Sequence, residues 1–406
     1  MQNQRYGLIG KTLKHTFSKE IHAFLADYNY EIYELKEDEL ESFVKNCPLN
    51  GFNVTIPYKK EIIKYLDVLS ESAKELSSVN TVLIKDGVKY GFNTDLDGME
   101  YMIKSANISL NGKRVMILGS GGTGVTARAL AKRLLASEIV LVSRNGEVNY
   151  SNLTGFNPDV IINTTPVGMY PDFYSSPVNV GEFKNLSGVI DVIYNPLTTK
   201  LVYSARERNI KAVNGLSMLV AQASKSTEIW TGKKTSSSKL EEIISKIALK
   251  NSNIVLIGMP GAGKTLLAKK LSMIIDKEVI DTDKLIEKKT GKSIKQIFID
   301  CKEDGFRKIE SEIIKEVCTR KNCIISTGGG APTIKENVFP LKMNSKVVWV
   351  KRDLNELSTL NRPLSIKKGI DALYKERKEI YEKVSDFSVE NNGSIEETVK
   401  GVLDKL

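Results

Sequence analysis

Apolar residues along the chain come in short β-branched bursts. In the first half the bursts are 5–9, 114–118, 139–143, 160–163 and 189–193. A second series lies at 254–257, 278–281, 323–326 and 346–350. Stretches of helical spacing lie between most of them. This alternation predicts α/β folds with largely parallel sheets. No repeat of solenoid length interrupts it. One polar loop does, at 231–238 (TGKKTSSS). After it, Leu240, Ile243, Ile244 and Ile247 recur at helical spacing and predict a helix over 239–249. A new strand begins soon afterwards, which puts a domain boundary near Lys250.

Composition narrows the class. A chain of 406 residues suggests roughly two or three domains. The hydrophobic share of 41% and charged share of 27% are those of a soluble globular protein. No apolar run approaches the ~18 residues of a membrane span, and the start does not read as a signal peptide. The four cysteines form no CxxC pair and there are only two histidines, so neither a zinc site nor a disulfide framework is expected. A reducing cytoplasm fits. The net charge of +10 comes from lysines spread along the chain without a basic block. That argues for a solvated surface rather than a nucleic-acid footprint, and its potential draws in small anions.

The run 114–118 leads at once into Gly119-Ser-Gly121-Gly122-Thr-Gly124, and a helical pattern follows. Strand, G-x-G-x-x-G and helix form the context of a dinucleotide site, where backbone and a helix N-terminus hold pyrophosphate. The next burst ends in Ser143-Arg144-Asn145, with arginine where NAD sites carry an acid. A guanidinium suits a 2′-phosphate, so NADP(H) is expected over NAD(H).

A hydride-transfer site needs a proton donor, and with histidine nearly absent lysine is the natural one. The stretch Asn53-Val-Thr55-Ile-Pro57-Tyr-Lys59 stands out, followed by Val79-Asn80-Thr81 and Asn93-Thr94-Asp95. These residues resemble the shikimate dehydrogenase motifs NVTxPxK, VNT and NTD. The resemblance runs over about residues 5 to 249. It includes Asn163-Thr-Thr-Pro-Val-Gly168-Met169, Asp191-Val-Ile-Tyr194-Asn-Pro196 and Gly215-Leu-Ser-Met-Leu-Val-Ala-Gln222. It implies that Lys59 and Asp95 are the catalytic pair, with Lys59 protonating the carbonyl oxygen of 3-dehydroshikimate. It further implies substrate contacts from Thr55, Asn80, Tyr194 and Gln222. The family opens with a segment like HSxSPxxH, whose two serines hold the substrate carboxylate. Here it reads His15-Thr16-Phe17-Ser18-Lys19-Glu20-Ile21-His22. Thr16 and Ser18 would take that role, the extra methyl of Thr16 and the loss of proline at Lys19 bearing on tolerance for quinate. Without the family, His15 and His22 would read as surface or capping histidines.

The run 254–257 is followed by Gly258-Met-Pro-Gly261-Ala262-Gly263-Lys264-Thr265 and a helical pattern. Such a loop cradles phosphates on backbone amides, with the lysine on the outer phosphates and the threonine hydroxyl on Mg²⁺. A short strand ends in Asp281 and Asp283, two apart and so on one strand face, although Asp also favours helix starts. The larger pattern continues through Phe298, Phe306-Arg307, Glu310, Gly328-Gly329-Gly330, Arg362-Pro363-Leu364 and Arg377 before Tyr381. Over 252–406 it resembles shikimate kinase. The resemblance implies that Asp281 and Thr265 hold Mg²⁺, and that Asp283 holds the ring hydroxyls and takes the attacking proton. Arg307 and Arg377 would clamp the carboxylate, Gly328–Gly330 would line the ring, and Arg362 on the lid would face ATP. Two departures stand out. Lys302-Glu303 replaces the family's Gly-Glu, and the segment before Arg362 is short and lacks a basic pair, which predicts weaker ATP affinity.

The expectation is an α/β chain in three parts. Residues 1–98 with 215–249 form a substrate domain, 99–214 a Rossmann NADP domain, and 252–406 a P-loop three-layer kinase domain. The chain would turn 3-dehydroshikimate into shikimate and then shikimate 3-phosphate, towards chorismate and the aromatic amino acids. A metabolite sensor without catalysis and a quinate-preferring dehydrogenase are the competing readings. No membrane or nucleic-acid partner is expected, and monomer and homodimer remain open.

Overall fold

The computed structural model describes residues 4–13, 16–153, 155–357 and 369–406. The chain divides into two compact units, Met1–Ile247 and Ala248–Leu406.

Among the described residues the first unit contains two sheets. One has six strands, in the order Asn29–Glu34, Arg5–Gly10, Gly51–Val54, Thr81–Lys85, Val88–Phe92 and Val68–Leu69. Its early pairs are parallel, but Gly51–Val54 runs antiparallel to Thr81–Lys85, and so does Val88–Phe92. This sheet is therefore mixed where largely parallel sheets were expected. The hairpin turns at Asp86-Gly87, both with positive φ, which is the turn chemistry that reverses a strand in two residues. Helix Leu216–Thr231 lays Trp230 against this sheet. Its indole stacks on Tyr6 at 4.5 Å and donates to the Val82 carbonyl at 2.9 Å. A side chain at Gly51 would collide with that indole, so the strand carries glycine there.

The second sheet is parallel throughout, in the order Lys211–Val213, Gly188–Asp191, Val160–Asn163, Arg114–Leu118 and Glu138–Val142. Strands 160–163 and 188–191 are buried along their whole length, as β-branched runs covered on both faces should be. The burst read as 189–193 ends at Asp191 instead, because its side chain accepts the Ile193 amide and turns the chain out of the sheet.

The second unit holds five parallel strands, in the order Glu278–Asp281, Cys323–Ser326, Asn253–Ile257, Ser345–Lys351 and Phe387–Glu390. Helices Lys264–Ile275 and Ile395–Leu403 pack together, while Lys335–Met343 and Ile370–Val384 lie on Ser345–Lys351. Each fully buried Ile, Val or Leu of the central strand adds about 1.5–3 kcal/mol. Helix Ser237–Asn251 spans the division between the units, with Leu240, Ile243 and Ile247 buried. Among the described residues no helix is long and apolar enough to cross a membrane.

Candidate active sites

In the first unit a cavity of about 480 Å³ is lined by Thr16, Ser18, Thr55, Lys59, Asn80, Asp95, Tyr194 and Gln222. These residues come from segments far apart in the chain, brought together by the mixed sheet and helix Leu216–Thr231. Lys59 Nζ donates to Asp95 Oδ2 at 2.6 Å. Asp95 opens helix Asp95–Ser105, where the aligned peptide dipoles favour a negative charge. Its other oxygen accepts from Asn80 Nδ2 at 2.9 Å. Asn80 is fixed in turn, since its Oδ1 takes the Thr94 amide at 2.8 Å. Both carboxylate oxygens of Asp95 are thus held, and the lysine is steered by a carboxylate that cannot rotate away. Burial raises the Tyr194 phenol above its ordinary pKa, keeping it a neutral donor. Thr16 Oγ1 donates to Ser18 Oγ at 2.9 Å, so the two hydroxyls form one pair on the cavity wall.

Thr123 also lines this cavity, which joins it to the glycine loop. Gly119 has φ of 105°, a conformation that glycine adopts without strain. Helix Gly122–Arg133 starts without a side-chain cap, and a Cβ at Gly121 or Gly122 would meet only open space. Its first amides therefore face a gap that pyrophosphate fits. Gly124 lies so close to the Gly119 carbonyl that any side chain would overlap it. Ser143 and Arg144 follow strand Glu138–Val142, and Arg144 is exposed, free to reach a phosphate beyond the strand end.

In the second unit a cavity of about 350 Å³ is lined by Gly261, Gly263, Lys264, Thr265, Asp281, Asp283, Arg307, Gly328, Gly329, Gly330 and Arg377. Gly258 and Ala262 do not line it. Gly258 gives its carbonyl to Lys264 Nζ at 2.9 Å, and the Ala262 carbonyl accepts from Asn391 at 2.8 Å. Both shape the loop from behind. Thr265 Oγ1 donates to Asp281 Oδ2 at 2.7 Å and stands 3.3 Å from Ser326 Oγ. This all-oxygen group suits a hard cation that keeps most of its ligands as water and phosphate. Among the described residues no cluster of three His, Cys, Asp or Glu side chains is built to hold a metal by itself.

Asp281 and Asp283 do not share a strand face. The strand ends at Asp281, whose side chain caps helix Thr282–Thr290 by accepting the Lys284 amide, and Asp283 sits in the first helical turn. The capping preference of Asp prevails over strand continuation here. Burial, and then the charge of Asp281, raise the Asp283 pKa. Among the described residues its Oδ1 is buried with no hydrogen-bond partner, and so is Glu310 Oε1. Glu310 was visible in the sequence pattern without a role. It is fully buried, and its other oxygen accepts from Arg307 at 2.6 Å. A Cβ at Gly330 would overlap the Arg307 guanidinium. Ile294, Phe298 and Phe306 add an apolar wall, the two phenyl rings stacked at 4.6 Å. Phe298 and Phe306 stood in the sequence pattern without a role, because an apolar residue at helical spacing reads as core. Tyr381 donates to the Gly329 carbonyl and so anchors the glycine turn to helix Ile370–Val384, which carries Arg377.

Lys302 interrupts helix Ile294–Cys318 with φ 58° and ψ −169°. The glycine usual at this position would take that conformation freely. His15 and Arg362, with residues 358–361 of the short segment before Arg362, lie outside the described residues.

Comparison with known proteins separates the two units. A model of the shikimate dehydrogenase substrate binding domain matches residues 8–82, and a shikimate kinase model matches 260–406. The shikimate dehydrogenase (NADP(+)) of Clostridium perfringens is 38% identical over 267 residues, covering 60% of this chain and 97% of that protein. That of Methanococcus maripaludis is 38% identical over 258 residues, covering 56% and 91%. Among solved structures, a chorismate mutase/shikimate 5-dehydrogenase fusion protein from Clostridium acetobutylicum is 35% identical with a TM-score of 0.58, covering 61% of this chain and 98% of that one. The shikimate 5-dehydrogenase of Thermus thermophilus, in complex with NADP(H) and shikimate, is 27% identical with a TM-score of 0.55, covering 60% and 99%.

Proposed function

The chain belongs to the shikimate dehydrogenase family and carries a shikimate kinase domain behind it, and from that premise we propose the course of both reactions and the residues that run them. It is a bifunctional enzyme of the shikimate pathway, an NADP-dependent oxidoreductase joined to an ATP-dependent phosphotransferase. The observation that carries the residue assignment is the convergence of Lys59, Asp95, Asn80 and Gln222 on the cavity that the glycine loop enters through Thr123.

In the first reaction 3-dehydroshikimate lies with its carboxylate on Thr16 and Ser18 and its ring hydroxyls on Asn80, Asp95 and Gln222. Thr55 and Tyr194 complete the enclosure. NADPH, when bound by the Gly119–Gly124 loop with its 2′-phosphate near Ser143 and Arg144, supplies the hydride. As the carbonyl carbon accepts it, Lys59 gives a proton to the oxygen, so the alkoxide never builds up. Lys59 keeps some solvent contact and recovers its proton from water, while Asp95 holds it in line.

In the second reaction Arg307 and Arg377 hold the carboxylate of shikimate and Gly328–Gly330 let backbone approach the ring. Glu310 keeps Arg307 aimed. Asp283 accepts the hydroxyl proton as the oxygen attacks phosphorus, and its raised pKa brings it closer to the working pH of a base. Gly261 and Gly263 frame the phosphates, Gly258 and Ala262 shape the loop behind them, and Lys264 lies on the outer phosphates. Thr265 and Asp281 would hold Mg²⁺, which when bound neutralises phosphate charge. Arg362 would face the transferring phosphate. The four cysteines are free thiols, in keeping with a cytoplasmic enzyme.

The test is a pair of separate assays on two variants. Lys59→Ala should lose NADPH-dependent reduction and keep ATP-dependent phosphorylation of shikimate, and Lys264→Ala should do the reverse. Loss of neither activity by its own variant would refute the assignment. Rates on quinate beside shikimate settle which polyol the first site prefers.

A further inference from the structure

His22 lies four residues after Ser18 on helix Ser18–Leu25 and is buried. Its ring stacks on Tyr30 at 3.9 Å. Both ring nitrogens are engaged, Nδ1 with the Tyr28 hydroxyl at 2.7 Å and Nε2 with Asn53 Oδ1 at 3.2 Å. Neighbouring groups fix the tautomer. Asn53 Nδ2 faces the Asn80 carbonyl, which can only accept, so Oδ1 must be the atom turned to His22. Oδ1 already accepts from the Tyr30 hydroxyl at 2.8 Å and has no proton to give. Nε2 therefore carries the hydrogen, and Nδ1 accepts from Tyr28. Burial drives the imidazole pKa down to about 3, so this neutral form holds at working pH.

The partners of His22 lead to the other walls of the first cavity. Tyr28 meets Thr227 at 2.8 Å on helix Leu216–Thr231, five residues from Gln222. Asn53 Nδ2 donates to Thr81 Oγ1 at 3.0 Å and Ser226 Oγ at 2.9 Å, and its third contact is the backbone of Asn80. One imidazole thus ties the helix that opens at Ser18, two residues after Thr16, to the segment entering strand Thr81–Lys85, where Asn80 lies, and to the helix that carries Gln222.

We infer that His22 is the positioning residue that sets the distance between the Thr16–Ser18 hydroxyl pair and the Asn80–Asp95–Gln222 group, and so selects substrates with a carboxylate at a fixed distance from the reacting carbonyl. This rests on the reading of the first cavity given above. Without the tie, helix Ser18–Leu25 must be ordered by the substrate itself. That cost falls equally on ground state and transition state, so it raises KM and leaves kcat.

The experiment uses the full chain with His22→Asn, His22→Gln and Tyr28→Phe, kinase activity serving as the check of an intact preparation. His22→Asn, which cannot reach Asn53, should raise KM for 3-dehydroshikimate about tenfold. Its kcat and its KM for NADPH should stay within about twofold of wild type. His22→Gln, which restores a donor near the Nε2 position, should recover most of the loss. Tyr28→Phe, which removes one hydroxyl and keeps the ring, should cost roughly threefold. The preference in kcat/KM for shikimate over its methyl ester should narrow in His22→Asn by the same factor as the KM rises. An unchanged KM and an unchanged acid-to-ester preference in His22→Asn and Tyr28→Phe overturn the inference. So does a joint fall in kcat and both affinities that His22→Gln fails to rescue. A wild-type chain inert towards 3-dehydroshikimate would overturn the reading of the cavity itself, a result distinct from either.

Discussion

Replacing Lys302 by glycine should stabilise the second unit. The backbone at Lys302 has φ 58° and ψ −169° in the middle of helix Ile294–Cys318. A residue with a Cβ held in such a region costs roughly 1–3 kcal/mol. Glycine removes that strain but gives back about 0.5–1 kcal/mol through the greater freedom of the unfolded chain. The lysine side chain is exposed, so little packing is lost. The net gain is about 1 kcal/mol. In a unit the size of 248–406 this raises the melting temperature by about 2–4 °C. The break also matters for the site, because it lets Phe298 before it and Phe306 and Arg307 after it face one cavity. Lys302→Gly should therefore keep kinase activity. The assay is residual kinase activity after heating the full chain, with reductase activity from the same tube as internal reference. A kinase half that loses activity sooner in Lys302→Gly than in wild type would refute the reasoning.

Other outcomes follow from the same structure. Gly330→Ala places a methyl into the Arg307 guanidinium, so KM for shikimate in the kinase assay should rise at least about tenfold while reductase kinetics stay unchanged. Because burial and Asp281 raise the Asp283 pKa, its ionised form is lost as pH falls through a value above the usual 3.8. The acid limb of kinase kcat/KM should accordingly titrate above 3.8, and a limb at or below it would contradict the role of Asp283 as proton acceptor. Arg144→Ala should raise KM for NADPH by roughly tenfold or more and leave KM for NADH nearly unchanged, as steady-state kinetics with both cofactors would show.

Much of this was legible in the sequence because parallel α/β units announce themselves. Their strands are buried on both faces and read as unbroken apolar runs, as at 160–163 and 254–257, and the loops that follow carry glycine or acid signals. The strands of the first sheet at Asn29–Glu34, Thr81–Lys85 and Val88–Phe92 are partly exposed, and their mixed polarity hid them. The division of the aspartate pair between strand end and helix start turned on one capping bond that periodicity does not register. Without the family pattern, His22 reads as a surface or capping residue for a related reason. A lone histidine gives no sign of burial in sequence, and its partners Tyr28, Asn53 and Thr227 become neighbours only in the folded unit. Glu310 stood three residues after Arg307, yet nothing in the pattern said that it would be wholly buried beneath the guanidinium.

The central claim is that one chain reduces 3-dehydroshikimate and phosphorylates the product. The most direct measurement gives the purified chain 3-dehydroshikimate, NADPH, Mg²⁺ and ATP together, follows NADPH loss and ADP release, and resolves products by mass spectrometry. The account predicts shikimate 3-phosphate, with one NADPH and one ATP consumed for each molecule formed. NADPH loss that stops at shikimate, or binding of both substrates without turnover, would contradict it.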